Sequence, residues 1–121
     1  MSDHTCARFE SANTTLMLSA RKSVLILARA AGATLASGFI PGHAWVAYPG
    51  SMDCVDGCDF VACGWPFPFV IDHPGISPGG SASLFGWFLG LDMLRPGHLA
   101  ATFVFWLCVL AAADRVMSRR K

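Results

Sequence analysis

Apolar residues are not spread evenly along this chain but gather in two long runs and two shorter ones. Pro96 to Ala113 (PGHLAATFVFWLCVLAAA) holds 18 residues without a formal charge. As a helix it is about 27 Å long, close to the roughly 30 Å hydrocarbon core of a bilayer. Pro96 suits the first helical turn, where its missing N–H costs nothing. Asp114, Arg115, Arg119, Arg120 and Lys121 close the run. An earlier stretch of 18 residues, Ser23 to Ile40, lies between Arg21-Lys22 and Pro41-Gly42, and Arg29 interrupts it. The pattern predicts two membrane-spanning helices, 23–40 and 96–113, with Arg29 near enough to one end to snorkel to the surface. A cleaved leader, with Ala33, Ala36 and Ser37 as small residues at the cleavage site, is the competing reading. A 22-residue charged lead-in and the interrupting Arg29 speak against it.

Composition supports a membrane setting. Charged residues are 14% and apolar residues 54%, where a soluble domain carries about 25% charge. One compact domain is the most that 121 residues suggest. Net charge is +1, so there is no general attraction to nucleic acid. Its distribution says more. Of the nine Lys and Arg, all but Arg29 and Arg95 lie in the first 22 or last 7 residues. Basic flanks stay cytoplasmic. The expected topology therefore has both termini (1–22 and 114–121) in the cytoplasm of a bacterial-type inner membrane, with 41–95 outside. Ala28, Gly32 and Ala36 recur every four residues and predict a close helix-packing face. Its partner would be the second span, another membrane protein or a second copy.

All seven prolines fall between positions 41 and 96, which predicts an irregular external loop. Within it, alternating Pro and Phe in Gly64-Trp65-Pro66-Phe67-Pro68-Phe69-Val70 favours extended backbone. Trp65, Phe67 and Phe69 are expected at the membrane interface or against the tops of the helices. Ser83 to Leu94 is apolar on nearly every face and only about 18 Å long as a helix, too short to cross. It reads as an interfacial helix carrying Trp87 as a further anchor. The fold class expected from all this is an all-α membrane protein, a two-helix transmembrane hairpin with an irregular loop.

The run GWPFPFVIDHPGISPGGS, followed by an apolar segment and a final membrane helix, resembles small bacterial two-pass membrane proteins of uncharacterised activity. The resemblance covers about the second half of the chain and is specific mainly at residues 64–72. It implies a helical hairpin with an external loop, and it brings no activity to these residues.

Candidate chemistry is sparse. Cys54, Cys58 and Cys63 cluster in the external segment, where oxidising conditions favour a disulfide. Cys54–Cys63 is the preferred pair and Cys58 the alternative member. With His43 or His73 these thiols would supply four ligands for zinc, but C-x3-C-x4-C is not a familiar zinc spacing. Asp53, Asp56 and Asp59 lack the ligand pattern of a calcium loop and read as a solvated acidic surface. His98, at the head of the second span, reads as an interfacial residue with a water or backbone partner. No catalytic, cofactor-binding or metal-ligating set emerges, and Gly79-Gly80-Ser81 lacks the Lys of a phosphate loop. The expectation is a non-enzymatic accessory or interaction protein that contacts the lipid bilayer. The alternative is a thiol-redox or metal-handling protein using the external cysteines.

Overall fold

The computed structural model describes residues 4–47, 56–73 and 80–120. Three helices and a sheet follow one another: α1 (His4–Ser37), β1 (Pro41–Val46), β2 (Cys58–Cys63), β3 (Val70–Asp72), α2 (Leu84–Phe88), β4 (Asp92–Leu94) and α3 (Pro96–Ser118). The four strands form an antiparallel meander in the order β1-β2-β3-β4. This overturns the all-α hairpin.

The prolines predict irregular chain, but those among the described residues punctuate short strands and open α3. Pro41 is the first residue of β1, and Pro66 and Pro68 occupy the β2–β3 connection. These are places where a missing N–H does not break the ladder. Gly42, Ala62, Ile71 and Met93 lie side by side across the sheet, as do Pro41, Cys63, Val70 and Leu94. One face gathers Ala44, Ala62 and Ile71 with Val46 and Phe60. The other gathers Cys63 and Val70 with Phe69, Ala82, Leu84, Leu94 and Leu99. The second cluster reaches onto α3 through Leu99 and so seats the sheet on the helix.

The first predicted span is corrected as well. Helix α1 starts well before Ser23 and stops at Ser37, where the N–H groups of Gly38, Phe39 and Ile40 turn back to the carbonyls of Leu35, Ala36 and Ser37. Fifteen helical residues follow Lys22, about 22 Å, and Arg29 sits among them. Among the described residues only α3 is long and apolar enough to cross a membrane.

The 83–94 run is not one helix. Ser83 caps α2, its Oγ accepting from the Gly86 N–H at 2.8 Å. The helix ends after five residues, Gly90 takes a positive φ of 75°, and the chain re-enters the sheet as β4. Gly86 and Gly90 weaken helical continuity there.

Candidate functional site: an apolar belt around α3 and its junction with the sheet

Helix α3 leaves much of its apolar surface uncovered, although Leu99, Phe103, Phe105, Trp106, Leu107 and Leu110 are half-buried. Only 6% of its most apolar stretch is buried, and Thr102 is its one buried residue. A core helix of a soluble protein shows the opposite, since it exists to hide such a surface. Val104, Val109, Val116 and Met117 are exposed on α3, and Val24, Leu25, Leu27 and Leu35 on α1.

The two helices pack together. Ala31, Thr34 and Leu35 near the end of α1 share an open apolar groove of about 400 Å³ with Pro96, Leu99, Ala100 and Phe103 near the start of α3. The end of one helix therefore lies beside the beginning of the other, and they run antiparallel. Among the described residues the buried positions of α1 are Ala30, Thr34 and Ser37, at the spacing of one helix face. Two of them are polar yet satisfied locally, Thr34 Oγ1 donating to the Ala30 carbonyl at 2.8 Å and Ser37 Oγ to the Thr34 carbonyl at 2.7 Å. Ala28, Gly32 and Ala36 are all exposed, on the other side of the helix. The structure does not bring that small-residue stripe against α3.

The 64–70 segment runs along α3 and is tied to it by backbone carbonyls. Thr102 Oγ1 donates to the Phe67 carbonyl at 3.0 Å, and His98 Nδ1 lies 2.9 Å from the Pro68 carbonyl. A carbonyl can only accept, so that ring nitrogen carries the proton. The Arg95 N–H donates to the Phe69 carbonyl at 2.7 Å. Trp65 packs edge-on against Phe105, with centroids 5.4 Å apart, and at a tilt against Trp106. Trp65, Phe67 and Trp87 are exposed, whereas Phe69 is fully buried. Phe69 is therefore a core residue of the sheet–helix junction and not a surface anchor. Sequence reasoning missed Thr102. The carbonyls of a Pro-rich segment lack the regular partners of a ladder, and a hydroxyl one turn past His98 was the available signal.

The cysteines are arranged differently from the expected bridge. Cys63 is a free, buried thiol, and Cys58 is disulfide-bonded. The expected Cys54–Cys63 pairing is corrected because β2 turns Cys63 into the core, packed with Phe69 and Val70. Cys54 lies outside the described residues. Burial, and then the nearby Asp92 charge, push the Cys63 thiol up from 9.0 to about 11. A thiol so placed is a poor nucleophile, since the thiolate is the reactive form. Native Cys63 should resist a water-soluble maleimide at pH 8 and react on denaturation, as mass spectrometry would show; rapid native labelling would contradict its burial. The fold favours the neutral thiol, so this contribution to stability is complete below pH 9 and is lost as pH rises toward 11.

Asp92 is buried, and its Oδ2 accepts the Ser83 N–H at 2.9 Å. A Cβ on Gly86 would collide with that same oxygen. Asp92 thus clasps the first turn of α2 to the sheet. Asp72 lies opposite Asp92 across β3–β4. Each keeps a buried Oδ1 without a hydrogen-bond partner among the described residues. His43 Nδ1 approaches Asp59 Oδ2 at 3.1 Å on the exposed side of β1–β2. Among the described residues no three His, Cys, Asp or Glu are placed to hold a metal ion. Asp53 lies outside the described residues.

No known protein family, no curated protein and no solved structure matches this chain.

Proposed function

We propose that this chain is a small membrane-anchored protein with a structural or accessory role, holding a compact sheet module at the surface of a bilayer. The bare apolar surface of α3 carries this reading. In water that surface would drive aggregation, whereas in a bilayer it is solvated by lipid. Orientation follows from Arg115, Arg119, Arg120 and Lys121 beyond the span, which favour the cytoplasmic side of a bacterial cell membrane. The strands then lie outside, with the Trp65–Pro68 connection reaching along α3 as far as Phe105 and Trp106, and the disulfide at Cys58 persists on that side.

The composition of α1 does not make it a span. It packs along α3 and exposes Val24, Leu25, Leu27 and Leu35 beside that helix's apolar surface. The role is non-catalytic, and the partners are the bilayer and, through the exposed face of Ala28, Gly32 and Ala36, a second copy or another membrane protein.

Alkaline carbonate extraction of membranes from expressing cells tests the anchor. The protein should stay in the pellet and float with lipid. Quantitative release into the supernatant would reduce α3 to an ordinary helix of a peripheral protein.

A further inference from the structure

We propose that α2, with Phe39 beyond the end of α1, is a second lipid-contact surface lying in the headgroup–acyl boundary of the bilayer that α3 crosses. The proposal rests on the anchoring of α3 and adds to it a defined depth for the sheet module.

No residue of α2 is buried. Phe85 is 72% exposed, Phe88 79% and Phe39 77%. Aromatic rings of this size are normally the first to be covered in a folded protein. They also lie where a boundary must fall. A Cβ on Gly38 would come within 2.5 Å of Leu84 Cδ1, so the end of α1 abuts the start of α2. On its other side, α2 is separated from Pro96 only by a tight turn, the three residues of β4 and Arg95. The uncharged stretch that begins at Pro96 is about 27 Å long against a core of about 30 Å, leaving no slack to draw this junction far into the water. The elements around Pro96 are thereby held at the edge of the hydrocarbon.

The segment is rigidly presented. Asp92 accepts the Ser83 N–H, Ser83 caps Gly86, and the Leu91 N–H donates to the Gly86 carbonyl at 2.8 Å. Five residues cannot cross a bilayer, so α2 lies in its surface. The chemistry it fits is the apolar face of an uncharged or zwitterionic interface, because no Lys or Arg occurs between Gly42 and Leu94.

The test places a photoreactive benzophenone side chain at position 88, 104 or 43 of the full chain in phosphatidylcholine vesicles. After irradiation, mass spectrometry should find protein heavier by one phospholipid for positions 88 and 104, and unshifted protein for position 43. Position 85 repeats the test if the change at 88 impairs folding. Lipid adducts at 104 with none at 88 or 85, or adducts there to a second copy, would overturn the boundary placement and leave the anchor standing. Absence of adducts at 104 would remove the anchor itself, and this inference with it.

Discussion

Replacing Val104 with Arg should strip most of the protein from the membrane fraction. Val104 lies midway along the uncharged stretch from Pro96 to Ala113 and is 53% exposed. A cation at the centre of a span costs about 2.5–3.5 kcal/mol on insertion scales, which lowers the insertion equilibrium constant about a hundredfold. The same change at an exposed position of a water-soluble helix falls within about 0.5 kcal/mol of neutral. Comparing membrane and soluble fractions of the wild type and Val104→Arg separates the two. Arg at position 116, near the basic tail, should have far less effect, because its side chain reaches the headgroups. Equal partitioning of wild type and Val104→Arg would mean that α3 never enters lipid.

The second large effect is expected at Phe69. Its ring is fully buried between the sheet and α3. Deleting a buried aromatic side chain costs about 3–5 kcal/mol, a large share of the stability of a domain this size. Phe69→Ala should therefore unfold the junction, and protease digestion of the purified protein in detergent should cut between β2 and β3. Gly64→Ala approaches the same result from the opposite side. Gly64 has a φ of 118°, and an added Cβ would lie 2.5 Å from the Phe69 ring. Wild-type resistance in both variants would mean that Phe69 does not organise the junction.

Helix α3 was legible because its signals are local: a proline at the first turn, an unbroken apolar run and a basic end. The sheet was not, because its strands are held by pairing between segments far apart in sequence. β3 and β4 are three residues each, too short for alternation to register, and their apolar residues merged with neighbouring aromatic runs. A turn signal was present at Asp56-Gly57, where Gly57 takes a φ of 103° and leaves room for Trp45. It lay hidden among residues read as a solvated acidic loop. The helix face was misplaced for a related reason. Small residues occur on several faces of α1, so the Ala28–Gly32–Ala36 repeat was as good a pattern as the true one. The buried face contains Thr34 and Ser37, whose hydroxyls bond back to their own helix, a compensation that residue type alone does not disclose. At Cys63, thiol spacing suggested a bridge, but the strand's pleat turns the side chain inward.

A helix that crosses the bilayer must place its two ends on opposite sides. Variants Ser81→Cys, on the sheet module, and Ser118→Cys, at the basic end of α3, would be treated in intact cells with a membrane-impermeant maleimide and the label at each position read by peptide mass spectrometry, apart from the native cysteines, since both positions are exposed. Position 81 should label in intact cells, and position 118 only after the membrane is permeabilised. Labelling of both positions from the same side would contradict a helix that crosses the bilayer between them.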